Sequence, residues 1–592
     1  MEFRKHGVNL ILAFVLPIVF LYVGLVVTFF LVNSLPGDIV LCYLPPSWTL
    51  PQYEAMVQQL GLDKPLFIQF LRYIGDFLTG NWGISCSVMA GAPVNEILKE
   101  RFPRTLELLI LPLLIGVNLG FIFGKISKRT KRNWLKMGIQ LLSAVGIAVP
   151  IFSFGMYLQY TLGFQAGAFP VVGYKTPGFD NPPLITGFRI LDSIISGNGA
   201  LALDTILHYI LPTIVLTVAI TALMTRVFGS KFAGHSEKKK TILSITAKIS
   251  AVFGVILTYL ILIDVTFNLN GFGSLFLTAL MSVDFLVLRG LMGVIIILYV
   301  ITIFVSILSF TLIGIVRDKI HPPQKDLKDT TEKEPRISGT IELKNFLKKI
   351  IRSPVTIIGI VLVIIPIFVS IFPELISGYT FEEAQGIFLN PWAPASPLHP
   401  LGTSKFGRDV LAQVAYGTRN SLIFGFGAVL IGLIGGVIFG PLASKYKRIA
   451  HPITMSFMLI FYVLPGILLV MFIVILTGGG AATFGLLMFT IGFLLIPGFT
   501  RIIANSEFRI VPIIKKVLTY VPLFAGFAIL LYLALGFLGF SDYQTIQLGR
   551  LVSVGREHMF DAPWASFWPG FIAFLILISL FVLHEGLANS SR

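Results

Sequence analysis

RDKIHPPQKDLKDTTEKEPRISGTIELKNFLKKIIR, residues 317–352, is the only long charged interval in an otherwise apolar chain. Pro322, Pro323, Pro335 and Gly339 lie among alternating Lys, Arg, Asp and Glu, a composition that cannot bury enough apolar surface to form a core. The stretch reads as a water-exposed linker between residues 1–316 and residues 353–592. The alternative is a charged loop inside one membrane domain; a joint is favoured because each side has the content of a whole module.

Those two sides are too apolar for water. Of 592 residues, 55% are hydrophobic and 12% charged, and the mean hydropathy is +0.87, which predicts an all-α polytopic membrane protein. Apolar runs of about 20 residues fall near 9–32, 105–125, 137–160, 207–227, 247–268 and 288–316, then near 353–374, 419–443, 452–476, 482–503, 517–540 and 566–589. The prediction is about 12 transmembrane helices in two six-helix halves. The first run, 8–32, is longer than a signal-peptide core and lacks a small-residue cleavage site, so it counts as a span.

The formal net charge is +16, but the bases sit in short clusters between apolar runs, as in loops that face the cytoplasm. Nucleic acid is not an expected partner; membrane lipid is. The basic intervals are Arg4–Lys5, Lys125–Lys136, Arg226–Lys248, the linker, Ser444–Arg448 and Arg501–Lys516. One topology satisfies them all: a multi-pass protein of the cell membrane with both termini and the linker in the cytoplasm. The opposite intervals include two long ones, 33–104 and 375–418, expected outside. Within 51–80, helical spacing of Met56, Leu60, Phe67, Phe70, Leu71 and Ile74 predicts short helices lying against the membrane domain. Cys42 and Cys86 both fall in the first long interval, where a disulfide is possible, although two unpaired thiols fit the sequence equally.

Catalytic motifs are absent. There is no His-Glu-x-x-His, Cys-x-x-Cys or Gly-x-x-x-x-Gly-Lys-Ser/Thr string, so no metal site, cofactor or internal ATPase is expected, and the chain does not read as an enzyme.

Longer strings carry a resemblance. FFLVNSLPGDIV (29–40), LGLDKPLFIQFLRYIGDFLTGNWGIS (60–85), PVNEILKERFPRTLELL (93–109), AVPIFSFGM (148–156) and HYILPTIVLTVAITALMTR (208–226) resemble the B-type permease of dipeptide/oligopeptide ABC importers. PWAPASPLHPLGTSKFGRDVLAQVAYGTRNSLIFG (391–425), FYVLPGILL (461–469) and DAPWASFWPG (561–570) resemble the C-type permease of the same systems. The resemblance implies a type I importer membrane domain with the two permeases fused through the linker. It also implies an extracellular peptide-binding protein and two cytoplasmic ATPase subunits as partners.

The chain departs from that family at one kind of place. Family permeases carry a Glu-Ala-Ala-x-x-x-Gly coupling loop in each half, whereas the matching loops here read RVFGSKFAGHSEKKKTILSITAK (226–248) and RIIANSEFRIVPIIKK (501–516). Glu237, Lys239, Glu507 and Arg509 are the candidate coupling remnants. Two functions follow: the fused permease subunit of a peptide importer, or a degenerate permease fold that no longer couples to ATPases and serves as a scaffold or partner-binding component. An ion-coupled carrier is weaker, since Asp264 alone offers a titratable group within a span.

Three further candidates stay open between function and structure. Asp264, where the family commonly has Glu, could face the substrate pathway or be capped by neighbouring hydroxyls such as Thr266. Gly407, Arg408 and Asp409 could dock the binding protein or pin their own loop. The glycines of GFGAVLIGLIGGVIFG (425–440) could form a sliding contact between the halves or plain helix packing.

Overall fold

The computed structural model describes residues 2–229, 238–320, 339–388, 390–445, 465–477, 483–504, 506 and 510–591. Among these residues there are helices and loops and no β-strand. The first half holds α1 (Glu2–Asn33), α2 (Leu50–Leu60), α3 (Leu66–Thr79), α4 (Val94–Arg129), α5 (Asn133–Ala148), α6 (Ile151–Leu158), α7 (Arg189–Ile195), α8 (Gly199–Gly229), α9 (Lys238–Phe267), α10 (Phe272–Met281) and α11 (Phe285–Ile320). The second half holds α12 (Gly339–Arg352), α13 (Pro354–Ile371), α14 (Pro373–Ser377), α15 (Phe381–Gln385), α16 (Val410–Lys445), α17 (Gly466–Leu476), α18 (Phe484–Ala504), α19 (Ile510–Phe537), α20 (Leu548–Arg556) and α21 (Trp564–Ser591).

Nine of the described helices are long and apolar enough to cross a membrane, and eleven spans result if each of two bent pairs counts as one. The all-α polytopic class is thus observed. The expected span at 452–476 lies mostly outside the described residues; of it, α17 is helical.

The bent pairs come from local chemistry that an apolar run conceals. α5 turns by 87° into α6 and a π-helical segment, Gln159–Gln165. Pro150 drives Val149 into extended backbone and starts the second helix. α9 turns by 84° into α10 where Asn268 and Asn270 take left-handed φ values of 53° and 56° ahead of Gly271.

Each half is built on one close helix pair. In the first, Gly116, Gly120 and Gly124 of α4 lie against Ile220, Met224 and Phe228 of α8; a Cβ at Gly120 would come within 2.3 Å of the Met224 Cβ. In the second, Gly432, Gly436 and Gly440 of α16 meet Leu495, Phe499 and Ile503 of α18, with 2.4 Å from a Gly436 Cβ to that of Phe499. Small residues four apart let two backbones approach, the means by which helices gain packing energy where no water is expelled. The glycines of α16 therefore pack inside the second half; they do not slide between halves.

On one face, hereafter the cap, the connections carry structure of their own. Cys42 and Cys86 are joined in a disulfide. Beside it, Asp284 is fully buried, and its Oδ2 accepts from the Ser85 hydroxyl at 2.6 Å and the backbone amides of Cys86, Ser87 and Val88 at 2.9, 2.9 and 3.1 Å. α3 buries Phe70 and Tyr73 while leaving Leu66, Phe67, Leu71 and Leu78 exposed, so it presents an apolar face outward.

The linker needs a correction. Residues 317–320 continue α11, and 339–352 form α12, whose Phe346 is buried and whose Glu342 pairs with Lys515 of α19 at 2.9 Å. Leu343, Phe346 and Ile350 repeat at helical spacing, so the charges occupy the other face and composition alone misses the amphipathic pattern. Residues 321–338 lie outside the described residues.

Replacing Asp284 with Asn removes the charge behind four hydrogen bonds and lowers stability by roughly 2 kcal/mol, read as a fall in the unfolding midpoint in detergent. Proteolysis within 85–91 accelerates in parallel; unchanged cleavage would show that the disulfide alone holds this loop.

Candidate functional site at the contact between the halves

The two halves meet along α5, α6, α8, α9 and α10 on one side and α17, α19, α20 and α21 on the other. The middle of this contact is aromatic and buried. Phe152 of α6 and Phe537 of α19, both buried, stack at 4.5 Å between centroids, and Phe276 of α10 meets Phe472 of α17 edge-on at 6.1 Å. Nearer the cap, Tyr157 faces Phe567 at 6.4 Å and Phe164 faces Phe560 at 4.7 Å. Gly570 admits α21 against Ser153; a Cβ there would lie 2.8 Å from the Ser153 hydroxyl.

Among the described residues, polar contacts cross this surface at two places. Arg556, at the end of α20, donates to the Val265 carbonyl at 3.1 Å and lies 5.9 Å from the Phe537 ring centroid. Burial holds its guanidinium below the ordinary arginine value, with Glu557 working in the opposite direction. At the far end, Arg226 of α8 pairs with Glu585 of α21 at 2.9 Å, with side chains 23% and 15% exposed. The Arg226 Nε also donates to Ser143 of α5 at 3.3 Å.

Asp264 lies one residue from the carbonyl that Arg556 grips. It is 2% exposed. Its Oδ1 accepts from the Gly271 amide at 3.0 Å, and its Oδ2 from the Ser274 amide and hydroxyl at 2.7 and 3.2 Å. It thus caps α10 across the bend in the chain. Thr266 is not a partner; its hydroxyl donates to the Leu262 carbonyl. Thr105 of α4 accepts from the Phe272 amide, and Arg101 donates to the Asn270 carbonyl, so α4 braces the same bend. In the second half, in the turn after α19, Gln547 donates to the Tyr532 carbonyl, and Asp542 accepts from the Gln544 and Phe484 amides.

Gly407, Arg408 and Asp409 stand in a tight turn where Phe406 and Gly407 have φ of 65° and 70°. Asp409 is 2% exposed, accepting from Ala412 N at 2.7 Å to start α16, with His399 Nδ1 at 2.9 Å. Arg408 donates to the Gly386 carbonyl at 3.1 Å; burial lowers its guanidinium from the ordinary value, as does nearby Arg550. All these bonds are internal to the cap. Glu237, Glu507 and Arg509 lie outside the described residues, and of Lys239 only its helical backbone in α9 is described. No group of three or more His, Cys, Asp or Glu that could hold a metal occurs among the described residues.

Sequence reasoning passed over Arg556, Arg226 and Glu585, since a lone charge beside a span is ordinary until its partner is known. It also passed over Asp192, which accepts from the amides of Thr186 and Gly187 at 2.8 and 3.0 Å and from the Thr186 hydroxyl at 2.6 Å. Burial pushes this carboxyl up, yet the hydrogen bonds from Thr186, Gly187 and Ile185 outweigh it and hold it below its usual value.

No protein-family model matches the chain. It is 32% identical over 201 residues to the probable D,D-dipeptide transport system permease protein DdpB of Escherichia coli (strain K12), covering 34% of this chain and 58% of that protein. It is 35% identical over 203 residues to the di/tripeptide transport system permease protein DppB of Pseudomonas aeruginosa, covering 34% and 60%. With the dipeptide transport system permease protein DppB of E. coli K12, 28% identity extends over 326 residues, 51% of this chain and 95% of that one. The chain thus spans about three-fifths of the first two relatives, and its homology to peptide transporter permeases covers up to about half of its own length.

Arg226→Gln or Glu585→Gln alone should cost roughly 2 kcal/mol, since each strands a partly buried partner. The double variant should lose less than the sum of the two, measured as unfolding midpoints in detergent; strict additivity would show that the pair carries no coupling. Because the Asp192 carboxyl is depressed, its contribution is complete above the ordinary carboxylate range and is lost only as pH falls through the lower folded value. Proteolysis at 185–187 should therefore stay slow from pH 7 to about pH 4 and speed up below it. Asp192→Asn should be cleaved faster at neutral pH as well.

Proposed function

We propose that this chain is a membrane subunit of a dipeptide/oligopeptide-type ABC importer, with a B-type half at 1–316 and a C-type half at 353–592 fused into one polypeptide. The substrate path runs between the halves, where the aromatic surface of Phe152, Phe276, Phe472 and Phe537 meets. The observation that carries this reading is homology to peptide-transport permeases, joined to a second helical half built on the same glycine-striped pair.

In this reading the basic loops and the linker lie in the cytoplasm, and the cap faces outward toward a peptide-binding protein. Gly407, Arg408 and Asp409 serve that contact indirectly. They fix the turn that displays Lys405 and Phe406, the latter 45% exposed, and those two side chains make the contact. Asp264 sets the angle between α9 and α10, which line the path, and acts on substrate through that geometry. Fusion keeps the two permeases at fixed stoichiometry and high effective concentration.

A specific observation favours a second reading. The Glu-Ala-Ala-x-x-x-Gly string is missing from both cytoplasmic loops, 226–248 and 501–516. A chain without coupling helices would keep the permease fold as a scaffold or partner-binding component.

Isolation from native membranes separates the two. The importer reading expects a stoichiometric pair of ATPase subunits whose hydrolysis rises with peptide-loaded binding protein, and loss of that stimulation on Asp264→Ala. A purified assembly lacking ATPases, from cells whose peptide uptake is unchanged by deletion of this chain, would replace it with the scaffold reading.

A further inference from the structure

A cavity of about 150 Å³ lies in the cap of the first half, away from the contact between the halves. It is walled by α3, by residues 81–83, by the short helix Ile39–Tyr43 and by the first turn of α11. Cavities of that size hold a molecule of benzene dimensions. A phosphate or a small headgroup fits; a peptide does not.

The charges in its lining favour an anion. Arg72 and Arg289 stand against a single carboxylate, Asp76. Arg72 has no hydrogen-bond or ion-pair partner among the described residues, and the Nε of Arg289 is buried without one. The remaining Arg289 contacts are with the Asn33 side chain through Nη2 and with the Tyr73 ring, whose centroid lies 5.6 Å from the guanidinium. Tyr73 lines the cavity, is 7% exposed, and its buried hydroxyl has no partner. A buried donor left unpaired costs about 1–3 kcal/mol, and two such donors, the Arg289 Nε and the Tyr73 hydroxyl, belong to residues of this lining, with the exposed Arg72 guanidinium beside them. Gly83, at a φ of +83°, leaves room for the Tyr43 hydroxyl; a Cβ would stand 2.9 Å from it.

We propose that this cavity binds the phosphate group of an anion, held by Arg72, Arg289 and the Tyr73 hydroxyl. Charge-assisted bonds from two guanidinia suit the oxygens of a phosphate. An anionic phospholipid and a soluble phosphate share this chemistry, and the exposed apolar face of α3 places the cavity on an element that meets lipid.

The test uses the full-length chain in detergent, titrated with phosphatidylglycerol, phosphatidylcholine or inorganic phosphate, and read by native mass spectrometry and by unfolding midpoint. Phosphatidylglycerol should be retained in preference to phosphatidylcholine. Its half-saturating concentration should rise about tenfold in Arg72→Gln, equivalent to ~1.4 kcal/mol, and measurably in Tyr73→Phe. Arg72 is exposed and Tyr73→Phe keeps the ring, so both variants should fold with unchanged midpoints when no ligand is added. Stabilisation by inorganic phosphate alone would assign a soluble anion to the same site, and stabilisation by phosphatidylglycerol alone a lipid. Equal retention of both lipids, no response to any of the three, or unaltered binding when Arg72→Gln and Tyr73→Phe are combined would overturn the proposal.

Discussion

Inside a slab of hydrocarbon a helix can break only where its freed backbone amides find partners, and this fold meets that requirement with carboxylates. Asp264 receives the amides that open at the bend between α9 and α10, and Asp284 gathers three amides of the disulfide loop. Glu107 of α4 accepts the amides of Arg189 and Ile190 at the start of α7. In the second half Asp542 takes the Phe484 amide ahead of α18, and Asp409 starts α16. Every one of these acids could be mistaken for a substrate ligand on sequence grounds. Their position at amide clusters gives them a different purpose: they allow short, irregular segments to exist against the membrane domain without stranded donors.

The same chemistry explains what the sequence did and did not disclose. Long apolar runs announced the spans, since their length is set by the thickness they must cross. They hid the two sharp bends, because Val149–Pro150 and Asn268–Gly271 are brief interruptions flanked by apolar residues on both sides. Asp264 was legible as unusual but not as a cap, for its partners Gly271 and Ser274 are ordinary turn residues that acquire meaning only after the chain folds back. The charged interval at 317–352 misled for another reason. Its lysines and glutamates dominate a count, while Leu343, Phe346 and Ile350 carry the packing of α12. Arg226 and Glu585 lie far apart in the chain, and no local signal joins them.

The halves agree in their frames and differ in their joints. A stripe of glycines holds α4 to α8 and α16 to α18, so each half has a stiff unit with little room for substitution. Around these units the joints differ: Asp264 caps the helix that directly follows the turn after α9, whereas Asp542 in the turn after α19 reaches the first amide of α18. Arg556 links the two, reaching from the second half to a carbonyl beside the first half's bend. A shift of α20 would be felt at the α9–α10 angle without passing through the aromatic middle.

The loop that Asp284 holds lies about two hundred positions earlier in the chain; its bond to Ser85 spans a separation of 199 residues. A protein inserted into the membrane from its amino end therefore carries this loop through the placement of α4, α5, α8 and α9 before its anchor arrives. Until α11 is threaded, three amide donors have only water to serve them. Completion of the first cap thus waits on a single aspartate that follows four of the helices around it in the chain.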